Sequence, residues 1–403
     1  MTSYSALIRS PRIARLYASM IVARLAIGIE GIATVLFLRH EGKSFALAGA
    51  TAGALALGSA LGAPVGARLI DRFSARVLVW VALAHAAGLA GLIVLAAAKA
   101  PALLLVPVAF LTGATLPTIS SVLRTAYATV LAHDRRLIPS AFALEAVITE
   151  AIFIIGPLTT AALTWLVSAA AALVLSAATV VVGTAWFLAE LPAELADRRV
   201  PESAERHWAG ALRSPGLQTI VIAMLPVGFS FGAIEVMLPA FADAEGHRQF
   251  AGVLIAIWSI GSALGGIVYG ARPRLFPLRT VHLWAAAFVP FGMAALALAS
   301  SPAAMAFLVV LAGLPIAPLI ATRNELAGMV ALPGSETEAF TWPLTALVSG
   351  VAVGAAVAGA LADGPGWRAA VVAAVVAAAL GAVVSVVRRA TLGPLEQAEP
   401  ALT

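Results

Sequence analysis

Apolar runs of about 18 to 25 residues recur along the whole chain, separated by short breaks of Pro, Gly or charge. As a helix, a run of that length crosses a hydrocarbon layer about 30 Å thick. Twelve runs lie near 17–38, 45–67, 77–98, 102–123, 139–165, 168–189, 216–241, 250–271, 281–299, 303–322, 338–362 and 368–387. Lys99-Ala100-Pro101, Ser301-Pro302 and Asp363-Gly364-Pro365-Gly366 mark three of the turns between them. The pattern predicts an all-α integral membrane protein with twelve transmembrane helices.

The longest polar stretch, Leu191 to Ser214, falls between the sixth and seventh runs and carries mixed charge, as in Asp197-Arg198-Arg199 and Glu205-Arg206-His207. It divides the chain into a six-helix bundle over 1–190, a linker over 191–215, a second six-helix bundle over 216–390 and a tail over 391–403. The linker is either a short helix on the membrane surface or disordered, and its charge does not decide which. A repeat supports the division. Gly-Ser-Ala-Leu-Gly stands at 58–62 and again at 261–265, and Gly-Ala-Arg follows each copy, at 66–68 and 270–272. Gly113, Pro117 and Arg124 in run four are answered by Gly313, Pro318 and Arg323 in run ten. Two pseudo-symmetric halves with a substrate path between them are the expected architecture.

Composition narrows the class. Apolar residues make up 61% of the chain and charged residues 11%, against about 25% charged in soluble domains. With no cysteine there is no disulfide framework, thiolate metal site or thiol nucleophile. His-Glu-x-x-His and the phosphate-binding Gly-x-x-x-x-Gly-Lys-Ser/Thr are also missing, so no metal site, cofactor or nucleotide drive is expected, and no enzyme activity. The sequence pI of 10.2 suggests nucleic acid until the charges are located. With both termini inside, nineteen of the 25 Lys and Arg fall in inner segments and five in outer loops. That asymmetry places both termini in the cytoplasm of a multi-pass plasma-membrane protein and explains the basic pI without nucleic acid.

After the first Gly-Ser-Ala-Leu-Gly, the residues Gly66, Leu69, Asp71, Arg72, Arg76 and Leu78 follow the spacing Gly-x-Leu-Ala-Asp-Arg-x-Gly-Arg-Arg. This resembles the loop between helices two and three of the major facilitator superfamily of transporters, with Ser74 where the family has its second glycine. The resemblance implies the major facilitator fold and alternating access. It also implies a gating role for Gly62, Gly66, Asp71, Arg72 and Arg76, whose charges hold the cytoplasmic ends of the halves together in one conformation. Members of the family often act as monomers, and a monomer is expected here.

Ionisable groups at membrane depth carry the candidate chemistry, because burying one costs at least about 2.5 kcal/mol. They are Arg24 and Glu30 in run one, His85 in run three, Glu145 and Glu150 in run five, and Glu235 in run seven. At 1.5 Å per residue Arg24 lies ~12 Å deep, between Glu145 at ~9 Å and Glu150 at ~16 Å. Arg24 therefore pairs with one glutamate and leaves the other to titrate. Glu150, the deeper, is the first choice for proton coupling, since loss of water disfavours a charged carboxylate. Glu30 lies about 240° around its helix from Arg24 and is aimed at the central cavity, as in proton-coupled exporters of the family that carry an acid in helix one. Glu235 is its counterpart, close to the outer end. His85 and His282 lack a ligand partner at i+3 or i+4. Gly156-Pro157 matches the core of an exporter motif in helix five, although Ile152 and Thr159-Thr160 replace its flanking glycines. Trp258 and Trp342 lie far enough inside the membrane to stack on an aromatic substrate.

The resulting expectation is a secondary active transporter in the lipid bilayer that exports a small organic molecule in exchange for protons. Proton-coupled uptake of a metabolite and flipping of a lipid or lysolipid are the alternatives within transport. A membrane sensor or assembly partner is the alternative outside it.

Overall fold

The computed structural model describes residues 11–131, 137–197, 210–271, 276–332 and 336–393, and twelve of its helices are long and apolar enough to cross a membrane. They are α1 (Pro11–His40), α2 (Phe45–Phe73), α3 (Val77–Ala97), α4 (Ala102–Ala114 and Ile119–Val130), α5 (Ile138–Leu166), α6 (Ala169–Glu190), α7 (Pro215–Ala244), α8 (Ala251–Ala271), α9 (Leu278–Ala295), α10 (Pro302–Gly313 and Ile316–Met329), α11 (Glu336–Asp363) and α12 (Trp367–Val387). Four begin on a serine whose hydroxyl accepts from a backbone N–H three residues on: Ser44, Ser168, Ser214 and Ser301. The sequence predicts α4 and α10 as unbroken. Each breaks at a proline, Pro117 in Thr115–Thr118 and Pro315 beside Leu314, because proline has no N–H to donate and its ring crowds the preceding turn. Of the linker, the structure describes a single-turn helix, Ala193–Ala196, and a 3-10 turn, Gly210–Arg213.

The repeated pentapeptide has a common role in both halves. A Cβ on Gly58 or Gly62 would lie 2.0 Å from the Phe110 carbonyl or 2.3 Å from that of Ala114, so α2 packs backbone to backbone on α4. Gly261 and Gly265 do the same for α8 on α10, at 2.4 Å from the Val310 carbonyl and 1.9 Å from that of Leu314. Small residues allow this close approach, and in lipid, packing and hydrogen bonds replace the hydrophobic force between helices.

Both described chain ends lie on one side of the bundle, here the terminus side; the other is the far side. On the far side the halves are joined. Asp243 of α7 accepts from Arg39 of α1 at 3.0 Å and from Arg248 at 2.8 Å. Asp363, the last residue of α11, accepts from the Phe45 N–H at 2.8 Å and the Ala46 N–H at 2.6 Å, so a carboxylate of one half caps α2 of the other. A carboxylate there also meets the positive end of the helix dipole. The described hydrogen bonds and ion pairs between halves all lie at these far ends. Toward the terminus side the covering thins. α2 is buried at Phe45, Ala48, Ala52 and Leu55 but exposes Leu61 and Val65, and α11 exposes Phe340 and Leu344. The halves meet on the far side and part toward the termini.

Asp363→Ala is expected to open the far side. Hydrogen bonds to a charged group contribute about 1.5 to 3 kcal/mol each, and partial exposure here lowers the pair to about 2 kcal/mol, roughly a 30-fold shift in population. The chain has no cysteine, so spin labels at Lys99→Cys and Glu245→Cys report the far-side separation without background. Distance distributions unchanged by Asp363→Ala would mean that this cap does not hold the halves together.

Candidate functional site

Toward the terminus side, α1, α4 and α5 bring two arginines to one carboxylate. Glu145, with its side chain 3% exposed, accepts from Arg124 Nε and Nη2 at 3.1 Å each, and Arg24 Nη1 lies 3.6 Å away. Arg24 Nη2 donates to the Thr149 hydroxyl at 3.1 Å. The Tyr17 hydroxyl lies 3.1 Å from both the Tyr127 hydroxyl and the Ala141 carbonyl and closes the cluster toward the termini. Sequence reasoning left Arg124 out of the pair because it stands at the inner end of its run, yet arginine's length carries the guanidinium to Glu145. The side chain of Glu150 lies outside the described residues, as does that of Asp71. In the second half Arg323, the sequence counterpart of Arg124, is buried; Nη2 bonds to Asn324, while Nε and Nη1 have no partner among the described residues.

Glu30 does not line a path between the halves. It is 2% exposed and points into the first six helices, where Oε1 lies 2.7 Å from His85 Nε2 of α3 and accepts from the Ser176 hydroxyl of α6 at 2.8 Å. His85 Nδ1 lies 2.8 Å from the Thr112 carbonyl, which can only accept, so Nδ1 carries a hydrogen. The short Nε2 contact then holds one proton between imidazole and carboxylate, and the pair is neutral overall in either arrangement. The rotation from Arg24 turns Glu30 toward α3 and α6 rather than the cavity. No residue spacing gave a signal for His85 as its partner.

Glu235 takes the place at the seam. α7 is thirty residues long and runs on to Ala244, so Glu235 lies nine residues from its far end. The residues around it on α7, Phe231 to Ile234 and Val236 to Ala242, are all buried, while Glu235 is partly exposed. Its Oε2 faces Gly31 of α1, 3.8 Å from where a Cβ there would stand, and the carboxylate makes no hydrogen bond or ion pair with a described residue. One turn toward the termini, Phe231 meets Trp258 of α8 edge to face at 5.7 Å between ring centres. Trp258 is 8% exposed and its indole N–H has no partner among the described residues. Trp342 of α11 is partly buried against the main core, nearer the termini.

In the loop after α2, Arg72 is exposed and stacks over Phe73 at 5.3 Å, and Arg76 binds Asp197, a residue of the linker, at 2.6 and 2.9 Å. The hydrogen bond to Asp197, and then its charge, raise the Arg76 guanidinium above its ordinary value, so it stays charged. Gly66 faces only the Thr118 side chain, at 3.4 Å from a Cβ. In α5, Gly156 lies against Gly28 of α1, 2.4 Å from a Cβ, and the Pro157 carbonyl lies 2.6 Å from a Cβ on Gly252 of α8. Gly156-Pro157 therefore stands where α1, α5 and α8 meet, at a contact between the halves.

The sequence profile described as Major Facilitator Superfamily matches residues 16–281. No curated protein matches the chain in sequence. Among solved structures, the nucleoside transporter NupG is similar at a TM-score of 0.71 and 14% identity, covering 94% of this chain and 98% of its own. A bacterial homologue of the iron transporter ferroportin, in an inward-facing state, is similar at 0.72 and 13%, covering 93% and 98%. An auto-inhibited POT family peptide transporter is similar at 0.65 and 15%, covering 94% and 96%. At these identities the likeness is one of fold.

Proposed function

The chain belongs to the Major Facilitator Superfamily, and from that premise we propose that it exports a small organic molecule in exchange for protons by alternating access. It is a multi-pass membrane protein with the fold of transporters. One observation carries the coupling: Glu235 is a partly exposed carboxylate with no partner among the described residues, set between α7 and α1 where the halves meet. Such a group is costly when charged and enclosed, so the closing of the seam and the taking of a proton are linked. Protons delivered from one side and substrate from the other bias the same two-state equilibrium in opposite directions. The charge asymmetry of the loops supports a cytoplasmic terminus side. With the far side shut, the structure then corresponds to the state that loads substrate from the cytoplasm. The Asp71 to Arg76 loop has the role of clasping the terminus side in the opposite state, when the Asp243 and Asp363 contacts are broken. The partial exporter motif at Gly156-Pro157, seated at a contact between halves, supports the outward direction.

Everted vesicles with an acidified lumen and an internal pH dye test the reading. Adding a pool of candidate substrates is expected to alkalinise the lumen, and Glu235→Gln is expected to lower that response at least tenfold while substrate exchange persists. A full response in Glu235→Gln with loss in Glu150→Gln would move coupling to Glu150. No response to any pool would remove proton-coupled export.

A further inference from the structure

We propose that the terminus-side seam of α9 and α12 binds a phospholipid with a net negative headgroup. The inference stands apart from the direction and coupling of transport. It starts from a difference between the halves. On the terminus side of the first half, Arg15 pairs with Glu190, Arg24 and Arg124 share Glu145, and Arg76 binds Asp197. In the second half, Arg279 at the start of α9 and Arg388 and Arg389 just after α12 have no ion pair with a described residue. Packing gathers them. α9 lies on α12, and Arg279 Nη1 stands 3.5 Å from the Arg389 carbonyl. Like charges brought together without a carboxylate repel, and a bound anion relieves the repulsion.

One of the three is fixed in place. Arg388 Nε donates to the Thr219 hydroxyl of α7 at 2.8 Å, and Thr219 Oγ1 lies 2.7 Å from Thr391 Oγ1. Both Nη groups of Arg388 make no hydrogen bond with a described residue, so the fork is left for phosphate oxygens, which guanidinium matches in geometry. Arg279 and Arg389 beside it are exposed. Deeper in the membrane the two helices present an apolar wall: Trp284, Phe288 and Phe291 of α9 and Leu380, Val383 and Val387 of α12 are exposed. Trp284 lies five residues from Arg279, ~7.5 Å deeper, and its ring meets Phe276 at 4.9 Å between centres, an aromatic pair at headgroup level. Acyl chains cover such a wall whatever headgroup they carry, so selection falls to the headgroup. Phosphatidylcholine offers the same phosphate with a cation that the arginines repel, whereas phosphatidylglycerol brings no cation. Basic pockets between helices at the inner surface suit such anionic headgroups.

The probes are dioleoyl phosphatidylglycerol and dioleoyl phosphatidylcholine, titrated into the full-length protein in detergent and counted by native mass spectrometry. The first phosphatidylglycerol is expected to bind at least tenfold more tightly than the first phosphatidylcholine. Arg279→Gln with Arg389→Gln removes two charges and spares the Arg388 contact to Thr219; it is expected to weaken phosphatidylglycerol roughly 30-fold and leave phosphatidylcholine unchanged. Arg12→Gln with Arg68→Gln removes two exposed arginines on the same side of the first half and is expected to change neither lipid more than about twofold. Both double variants are first matched to the parent in thermal unfolding; should the α9–α12 pair fail that match, Arg389→Gln alone carries the test with a loss of about fivefold. No phosphatidylglycerol preference in the parent, or a preference that survives loss of the α9–α12 charges, overturns the proposal. Equal loss in both double variants would overturn it too, because the whole basic face would then draw the lipid. So would displacement of the lipid by excess inorganic phosphate, which would make the seam a site for a small anion.

Discussion

Valine in place of Gly49 is expected to abolish transport and hold the far side open, with each half still folded. A Cβ at Gly49 would lie 2.2 Å from the Ala355 carbonyl, and one at Gly53 2.5 Å from that of Ala352. Both obstacles are backbone, which has no rotamer to escape into. α2 and α11 belong to different halves, so parting the far ends relieves the clash, and the clash weighs only on the closed state. Overpacking costs about 1 to 3 kcal/mol where side chains give way and more where backbone must, so the closed state falls at least ~100-fold. A matched control separates gating from folding. Gly228 of α7 meets the Leu347 carbonyl of α11 at 1.9 Å within one half, so Gly228→Val has no open state to retreat to and is expected to lose folded protein instead. Spin-label distances across the far side check the first variant and yield of monodisperse protein the second. A Gly49→Val protein that retains the short far-side distance would show that α2 and α11 do not form the gate.

What the sequence made legible were features repeated along the chain or confined to one helix. Twelve apolar runs predict twelve helices, and the doubled Gly-Ser-Ala-Leu-Gly marks the same packing of α2 on α4 and of α8 on α10. Depth counted from the run ends put Arg24 between Glu145 and Glu150 and allowed either pairing; the structure sets Arg24 3.6 Å from Glu145. Partners brought together by tertiary packing left no trace. Glu30 and His85 are fifty-five residues apart on different helices, and only the packing of α1 on α3 and α6 decides that Glu30 faces inward. Asp243 and Asp363 stand at helix ends, where a carboxylate in sequence reads as a solvated loop residue; their work lies in reaching across to the other half. The breaks in α4 and α10 were signalled by Pro117 and Pro315 but outweighed by unbroken apolar composition.

Glu145→Gln is expected to be among the most destabilising single changes of charge in the protein. Glu145 is the one described carboxylate shared by Arg24 and Arg124, and it is buried while Arg24 keeps only 12% of its side chain exposed. The amide accepts fewer hydrogen bonds and carries no charge, so Arg24 is left enclosed with the Thr149 hydroxyl as its remaining hydrogen-bonded oxygen. Breaking one side of a buried pair costs about 3 kcal/mol, because the surviving charge keeps its desolvation penalty. Arg124, more than half exposed, turns to water at little cost. The loss therefore resides in Arg24, and Arg24→Gln in the same chain is expected to restore most of the stability even though it removes a second charge. The measurement is thermal unfolding of the purified parent, both single variants and the double variant in one detergent. A double variant no more stable than Glu145→Gln alone would place the cost in lost packing. A Glu145→Gln protein that unfolds with the parent would mean that another carboxylate takes over the arginines; Glu150, one turn deeper on α5, is the residue to remove next.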